Sequence, residues 1–311
     1  MDWLTSKKFF VILGLVLGLS LVLIVILVSF QLFSLTQATS QASNNVKLVN
    51  ENSLKLGNEV KEITLVASNI ASTDNFSDYK LKLNDKNSVV DSLIQNTAKS
   101  QAAVVSSNLL ENQKIYSGSK IVLAKRLEYL QKIQNYLILN GCLADKISTL
   151  TTGSTDLVTK WTVLPQTLTR DELAATADLT SKELNSKVLT IKEVKTCFEL
   201  NLKDLLIEPV IDKSILKEED LYKNLAGSLD NLSSSIKNNN SIDYQTAVTS
   251  ISKTFEIKSE FTKTVAKFVL ENLQKDLGKL EESLKLEEIN FEAQVGNYKQ
   301  KYNFQGVFKF F

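Results

Sequence analysis

The sequence predicts an all-α protein in which an N-terminal transmembrane helix continues into a stalk and then into an extracytoplasmic helical bundle or coiled coil. Three observations support this fold class. Phe9 to Phe33 form an unbroken run of 25 residues without a charge. Apolar residues repeat at helical spacing directly after this run. Beyond it the chain holds only two prolines and eight glycines, since two of its ten glycines lie within the run, and this scarcity favours long helices.

The apolar run is long enough to cross a bilayer, whose hydrocarbon core of about 30 Å needs roughly 20 apolar residues. The alternative is a cleaved signal peptide, but the apolar region of such a peptide covers only about 7–15 residues. The length therefore favours an uncleaved signal anchor at residues 9–33. Lys7 and Lys8 precede the run, and the next charge is Lys47. The positive-inside rule then predicts a single-pass protein of the cell membrane, with residues 1–8 in the cytoplasm and the bulk of the chain extracytoplasmic.

Two glycines within the run, Gly14 and Gly18, are four residues apart. Small residues at this spacing share a helix face and let two membrane helices approach closely. The same spacing also arises by chance in apolar helices. We therefore treat the pair as a candidate helix contact in the membrane, with scattered small residues as the alternative.

A heptad pattern predicts a stalk helix over residues 34–71. Its apolar and small residues alternate at spacings of three and four, as in a coiled-coil seam. Thr, Ala and Ser weaken several positions, so the seam would pack against other helices of the same chain or against a second copy. The seam positions are Leu32, Leu35, Thr39, Ala42, Val46, Val49, Ser53, Leu56, Val60, Ile63, Ala67 and Ile70.

The helical bundle is predicted over residues 72–302. The apolar periodicity predicts helices over about 88–113, 120–150, 169–207, 214–237 and 242–302. The expected breaks lie at Ser117-Gly118-Ser119, at the irregular stretch 151–169, at Pro209 and at Asn238-Asn239-Asn240.

Three smaller features of the bundle carry their own predictions. Thr169 and Glu172 match a capping box at the start of a helix. Trp161 is expected to fill a gap between helices, with a recognition role as the alternative. Gly278 or Gly296 is expected to kink or divide the last helix.

Cys142 and Cys197 are the only cysteines in the chain. In an exported domain an even pair is expected to form a disulfide. Closing a loop of about 56 residues would stabilise the fold by roughly 4 kcal/mol in the chain-entropy model. The alternative is two unpaired buried thiols that pack as small apolar groups.

Residues 303–311 form an aromatic C-terminal tail, which is unusual for a solvated terminus because exposed apolar groups normally mark contact sites. The tail is predicted either to fold back over the bundle or to dock on a partner or a membrane surface. The candidate partner-contact residues are Phe304, Phe308, Phe310 and Phe311.

Composition excludes several function classes. Of 36 basic and 35 acidic residues, Lys7, Lys8 and Asp2 precede the run, which leaves 34 of each sign beyond it and no basic stripe for nucleic acid. The chain has no His, which removes His-based catalysis and imidazole metal sites. Neighbouring carboxylates such as Glu218 and Glu219 diverge by about 100° on a helix and have lysines nearby, so they are predicted to lie on solvated faces.

These observations predict a membrane-anchored extracytoplasmic scaffold or assembly subunit that acts through protein–protein contacts. No catalytic, cofactor-binding or metal-ligating residue is predicted. The expected partners are the lipid bilayer and a protein, either different or a second copy, bound through the helical seams. The alternatives are a ligand-sensing helical-bundle ectodomain that signals through a partner and a cleaved, secreted helical adhesin.

Overall fold

The computed structural model describes residues 7–71, 73, 75–106, 110–151, 161, 168–201, 209–255 and 260–302. Across these ranges the chain is helical and contains no strand, which confirms the all-α class. The helices are α1 Lys7–Ser68, a 3₁₀ turn Asn69–Ala71, α2 Phe76–Ala103, α3 Leu110–Thr151, α4 Arg170–Asn201, α5 Pro209–Lys237, α6 Ser241–Phe255 and α7 Phe261–Tyr302.

Helix α1 changes character along its length without a break. Every side chain from Gly18 to Ser34 is exposed, and Phe33 is 69% exposed. The segment Gly18–Ser53 is long and apolar enough to cross a membrane, although a signal sequence would meet the same criterion. Burial within α1 begins at Ala38, five residues after Phe33. The helix is thus exposed and apolar in its first part and packed in its second.

The packed part of α1 follows the seam that the sequence predicts. The seam is buried at most positions from Thr39 onward, whereas Val60 is half-buried and Ser53 is exposed. Next to the exposed Ser53, the side chain of Asn52 is buried instead. The sequence predicted that this seam would pack against helices of the same chain or against a second copy. In the structure it packs against helices of the same chain. The buried seam residues are Thr39, Ala42, Val46, Val49, Leu56, Ile63, Ala67 and Ile70.

Polar caps begin three of the helices. The capping box at α4 is confirmed, because Thr169 N donates to Glu172 Oε2 at 2.8 Å and Glu172 N donates to Thr169 Oγ1 at 3.4 Å. Asn75 Oδ1 accepts the backbone N–H of Asp78 at the start of α2. Asn240 caps α6 in the same manner.

The predicted break at Asn238-Asn239-Asn240 separates α5 from α6. Asn239 has a φ of 56°, in the left-handed region that asparagine tolerates better than most residues. The change of chain direction here is therefore encoded locally.

One predicted break is wrong, because Ser117-Gly118-Ser119 lies inside α3, and the preceding helix ends earlier, at Ala103. Pro209 does mark a helix boundary, but it is itself the first residue of α5, a helix that was expected to begin at Ser214. Proline suits the first helical turn because its fixed φ is helical and its missing N–H would have no partner there.

The long helix predicted from Ile242 onward is also corrected. It consists of two helices, α6 ending at Phe255 and α7 beginning at Phe261. Gly278 and Gly296, where a kink or division was expected, both lie within α7. Both glycines have open space around the position of a Cβ atom.

The chain divides into two compact units, each built from segments that are distant in sequence. Unit 1 comprises Met1–Lys55, Asn96–Leu127 and Glu282–Phe311. Its described core joins α1, α3 and α7 with the residue that follows α2, Val104. The buried members are Ala42, Val46, Val49, Val104, Ile115, Val122, Leu123, Phe291, Val295 and Tyr298.

Unit 2 comprises Leu56–Gln95 and Glu128–Glu281 and has two apolar clusters among its described residues. In the larger cluster the rings of Phe198 and Phe268 meet edge to face, with centroids 5.8 Å apart. Trp161 belongs to the smaller cluster, is 2% exposed and donates from Nε1 to Thr180 Oγ1 at 3.2 Å. The packing role predicted for this tryptophan therefore agrees with its position.

Candidate functional site

A connected polar site in unit 1 is centred on Arg126 of α3, which is buried. Its guanidinium donates to Glu288 Oε1 of α7 from two nitrogens, with Nε at 3.0 Å and Nη2 at 2.7 Å. The carboxylate of Glu288 is 35% exposed, so the pair connects the core of unit 1 to its surface. Such paired, charge-assisted hydrogen bonds are among the stronger polar contacts in proteins.

The remaining contacts of Arg126 reach α1 and, through α1, α2. Its Nη1 donates to the backbone oxygen of Val49 at 2.6 Å and to Asn52 Oδ1 at 3.2 Å. Asn52 Nδ2 then donates to Thr97 Oγ1 at 2.8 Å. Side chains of four helices are thus joined in one buried chain of hydrogen bonds, which fixes how those helices align.

A second set of polar contacts in unit 1 lies nearer the start of the packed part of α1. Asn45 exchanges two hydrogen bonds with the backbone of Val105, at 2.9 and 3.0 Å. Asn112 Nδ2 of α3 donates to the backbone oxygen of Ala38 at 2.5 Å. These contacts place the end of α2 and the start of α3 beside the first buried residues of α1.

Gly118 explains why the Ser-Gly-Ser sequence is helical. A Cβ atom at this position would lie 2.5 Å from Gln294 Oε1 and 2.8 Å from Phe291 Cδ2 of α7. Ser119 is fully buried, and its hydroxyl donates to the backbone oxygen of Ile115 within the same helix. The small residues therefore allow α3 and α7 to approach closely, whereas the sequence pattern alone resembles a turn.

Unit 2 contains a separate buried polar cluster. Asn140 Nδ2 of α3 donates to the Ala67 backbone oxygen at 2.7 Å and to Tyr79 Oη at 3.2 Å. Tyr79 Oη also donates to Ala67 O at 3.1 Å. Burial raises the pKa of Tyr79 above its usual range, with a smaller opposing effect from the Asn140 hydrogen bond, so the phenol stays neutral.

The two cysteines singled out by the sequence are brought together in unit 2. Cys142 of α3 and Cys197 of α4 lie at disulfide distance, with their Cα atoms 5.8 Å apart. Lys187 of α4 also contacts α3, donating from Nζ to the Leu150 backbone oxygen at 3.0 Å. A cation at the carboxyl end of a helix is electrostatically favourable, although burial lowers the pKa of this lysine.

The neighbouring carboxylates Glu218 and Glu219 do not lie on the solvated face that the sequence predicts. Glu218 and Glu219 are both buried. Glu219 accepts a hydrogen bond from Lys223 and lies 3.4 Å from Lys192 Nζ of α4. The hydrogen bond from Lys223, followed by Lys192, lowers the pKa of Glu219. The carboxylate therefore acts as an ion-pair partner between α4 and α5.

A shallow pocket of about 290 Å³ lies between α2 and α3 in unit 2. The ion pair between Lys80 Nζ and Asp145 Oδ1, 2.6 Å long, lies among its lining residues. The hydrogen bond from Lys80 lowers the pKa of Asp145. The charged groups of this pocket thus already neutralise each other.

The other predicted site residues are placed as follows. Gly14 and Gly18 lie within α1, and Gly18 has no heavy atom near its Cβ position. Phe304, Phe308, Phe310 and Phe311 lie outside the described residues. Within the described part of the chain, no group of three or more Asp, Glu or Cys side chains could hold a metal ion.

Sequence reasoning missed the polar network around Arg126. The available signals were weak, namely that Arg126 is one of two arginines among 36 basic residues and that Asn52 adjoins the weak seam position Ser53. Its partner Glu288 is 162 residues away, so no local pattern could connect them.

Comparison with protein-family models, curated proteins and solved structures gave no match to this chain. A function is therefore inferred from its own residues.

Proposed function

We propose that the chain is a membrane-anchored, extracytoplasmic helical scaffold or assembly subunit that acts through protein–protein contacts and is not catalytic. The observation that carries this proposal is the continuity of α1, which extends from Lys7 to Ser68. The helix is exposed and apolar from Gly18 to Phe33, and from Ala38 to Lys55 one of its faces is buried inside unit 1. An anchor of this kind fixes the position of the unit 1 helices relative to the bilayer.

The exposed part of α1 suits lipid better than water. Large apolar side chains cover its whole circumference, whereas soluble proteins rarely expose such a continuous apolar surface. The run of 25 uncharged residues matches the length that a bilayer requires. Lys7 and Lys8 at its start support an orientation with the bundle outside the cytoplasm.

The buried polar network supports a structural role for unit 1. Arg126 directs four of its five N–H groups to protein acceptors on α1 and α7. A satisfied network of this kind favours one helix alignment over others and leaves little capacity for a ligand. Glu288, its carboxylate partner, accepts both of its hydrogen bonds from Arg126 at Oε1.

An exposed apolar stripe on α7 is a candidate contact surface for a protein partner or a second copy. Leu286 and Ile289 are 58% and 54% exposed, and Ala293 and Gly296 continue the same helix face. The spacing of three and four residues is that of a coiled-coil seam. The stripe also lies in the part of α7 that belongs to unit 1.

The test is partner capture from intact cells with the full chain. Mild crosslinking followed by detergent extraction is expected to recover a stoichiometric protein partner or a dimer. The variant Leu286→Asp/Ile289→Asp is expected to lose this partner or dimer. The matched control Leu179→Asp/Leu189→Asp changes two exposed leucines of α4, 68% and 61% exposed, and is expected to keep it.

Membrane attachment is tested in the same cells. Washing at alkaline pH is expected to leave the chain in the membrane fraction, and external protease is expected to digest the bundle. A mature protein that begins after the apolar run and is released into the medium would instead support the secreted adhesin. A soluble, monomeric chain without partners would contradict the scaffold proposal.

A further inference from the structure

The pocket between α2 and α3 in unit 2 combines a disulfide sulfur with charged groups of both signs. Cys142, Lys80 and Asp145 all line it. The two helices are antiparallel here, since Lys80 pairs with Asp145 whereas Asp91 accepts a hydrogen bond from Gln134. Its volume of about 290 Å³ lies at the lower limit of ligand sites, which hold about 300–1,000 Å³, so it suits a small molecule.

The two sulfurs of the disulfide differ in their access to solvent. Cys142 lines the pocket and is half-buried, whereas Cys197 is 1% exposed and belongs to the larger apolar cluster of unit 2. In thiol–disulfide exchange a thiolate attacks one sulfur directly, so the rate depends on which sulfur it can reach. An incoming thiol can reach Cys142 through the pocket, and Cys197 is then the leaving group.

Gly141 keeps the pocket open next to this sulfur. It precedes Cys142 in α3 and also lines the pocket. Beyond its own stretch of helix, no described atom lies within 4 Å of the position that a Cβ would take. A larger side chain at this position would therefore narrow the pocket without a clash in the protein.

The ion pair of the pocket can be exchanged for a ligand that carries both charges. Lys80 Nζ and Asp145 Oδ1 are 2.6 Å apart, and the two side chains are 44% and 49% exposed. An exposed ion pair contributes little to stability, so replacing it with an ammonium and a carboxylate of a ligand costs little. A lysine near an incoming thiol also favours the reactive thiolate form.

Asn87 offers a further contact for a ligand. Its Oδ1 is buried and accepts no hydrogen bond from the described residues, although the residue lines the pocket. A buried acceptor without a donor is unfavourable, and an amide N–H of a ligand would satisfy it. The antiparallel pairing places Cys142 opposite Leu83, with the ion pair about 4.5 Å to one side along the helix axis and Asn87 about 6 Å to the other.

We propose that this pocket binds a small peptide thiol, which exchanges with the disulfide at Cys142. The thiol lies between a zwitterionic amino-acid end, held by Lys80 and Asp145, and an amide N–H that donates to Asn87. This inference goes beyond the scaffold role, concerns unit 2 alone and does not depend on membrane anchoring.

The exchange balances without a further reagent. The ligand thiol loses its proton to solvent, and its sulfur forms a bond to Cys142 Sγ as the bond between Cys142 and Cys197 breaks. Cys197 leaves as a thiolate and takes up a proton from solvent. The ligand is oxidised to a mixed disulfide, and Cys197 is reduced to a thiol. The product carries the ligand on α3 and no longer has the covalent link to α4.

The test measures thiol exchange in the full chain, held in detergent micelles, with glutathione and with 2-mercaptoethanol. Glutathione has a zwitterionic end and amide groups around its cysteine, whereas 2-mercaptoethanol has neither. The same two thiols acting on the disulfide of 2-mercaptoethanol give their intrinsic reactivities, by which the protein rates are divided. Alkylation stops the exchange, and peptide mass mapping shows which cysteine carries the thiol and which is alkylated.

After this correction, glutathione is expected to react with the protein about tenfold faster than 2-mercaptoethanol, because it gains hydrogen bonds to charged groups. Glutathione is expected on Cys142 and the alkyl group on Cys197. The variants Lys80→Met/Asp145→Leu and Asn87→Leu are expected to lower this preference. The control Lys237→Met/Asp178→Leu removes another exposed ion pair of unit 2 and is expected to keep it.

The variant Gly141→Leu tests the pocket itself. Leucine is a better helix former than glycine, so α3 is expected to be retained while exchange with both thiols slows several-fold. Circular dichroism checks that this variant and the others keep their helices.

Four outcomes would overturn the inference. Equal corrected rates for the two thiols would show that exchange involves no binding site. Glutathione on Cys197 would show that attack does not come through the pocket. A preference that survives both Lys80→Met/Asp145→Leu and Gly141→Leu would place the thiol elsewhere. Alkylation of both cysteines before any thiol is added would show that there is no disulfide to exchange.

Discussion

Arg126 connects α3 to α1 and α7, and its replacement is expected to destabilise unit 1 more than any surface change. Arg126→Met leaves Asn52 Oδ1 and the Glu288 carboxylate without their donors. Breaking a buried pair costs about 3–5 kcal/mol, and partial exposure of Glu288 lowers the expected loss to about 2–4 kcal/mol in the free energy of unfolding. Urea unfolding in mild detergent, followed by circular dichroism, measures it.

The chain supplies a matched control for this substitution in its other arginine. Arg170 is exposed at the first position of α4, so Arg170→Met is expected to change stability by less than about 0.5 kcal/mol. The double variant Arg126→Met/Glu288→Leu is expected to recover part of the loss, because it removes the unpaired charge. Equal effects of the two arginine substitutions would contradict a structural role for the network.

Gly118 gives a second prediction at the residue scale. Gly118→Ala gains helix propensity of about 1 kcal/mol, but its Cβ would clash with the buried ring of Phe291. Overpacking costs about 1–3 kcal/mol, so a net loss of about 1 kcal/mol is expected. Gly227→Ala, with open space around its Cβ position in α5, is expected to stabilise the protein. Thermal unfolding of both variants shows whether each substitution raises or lowers the stability of the protein. Stabilisation by both would show that α3 and α7 do not approach closely.

Among the elements, the parts that the sequence predicted correctly are those with local signals. The capping box at Thr169, the asparagine turn before α6 and the seam of α1 each depend on residues a few positions apart. The Ser-Gly-Ser segment was misinterpreted because a turn and a close helix contact require the same small residues. Only the tertiary partner, here Phe291, distinguishes them. In the Arg126 network, Arg126 and Glu288 are 162 residues apart in sequence, so no local pattern could predict their contact.

The link between α3 and α4 provides a prediction at the element scale. Replacing Cys142 and Cys197 by Ser removes the covalent link and is expected to lower stability by about 2–4 kcal/mol. Non-reducing electrophoresis is expected to show faster migration of the unmodified chain than of the variant, because the closed loop is more compact. Identical mobility with and without reductant would contradict the disulfide.

The ion pairs between α4 and α5 predict a pH dependence. The pKa of Glu219 is lowered in the folded protein, chiefly by the hydrogen bond from Lys223. A carboxyl group with a lowered folded pKa contributes stability above its unfolded pKa of about 4.3, and this contribution is lost as the pH falls through the folded pKa. Glu219→Gln is therefore expected to lower the free energy of unfolding at pH 7. Below about pH 4.3, the free energy of unfolding of this variant is expected to fall less steeply with decreasing pH than that of the unmodified protein.

The control for this pH profile is Glu282→Gln, which removes the same charge from an exposed position. It is expected to leave the slope of unfolding free energy against pH close to that of the unmodified protein. If Glu219→Gln gives the same slope as this control, the ion pairs of Glu219 do not couple folding to pH.

At the scale of the whole molecule, the two units have an unusual relation to chain order. Unit 1 needs the first 55 residues, a middle segment and the last 30 residues, so its core is complete only when the C-terminal segment is present. Glu288, Phe291 and Tyr298 all come from that last segment. Folding of unit 1 therefore depends on contacts between the two termini, which are slow to form because of the loop entropy they cost.

A truncation after Glu281 tests this dependence. Without the last segment, Arg126 loses its carboxylate and the apolar face of α1 around Val46 loses the side chains of α7 that share its core. Amide exchange in α1 beyond Ala38 and in α3 up to Leu127 is expected to lose its slow phase. A chain ending at Tyr302 lacks only the tail and is expected to keep that protection. Equal protection of these amides in the two truncated chains would show that unit 1 folds without the part of α7 beyond Glu281.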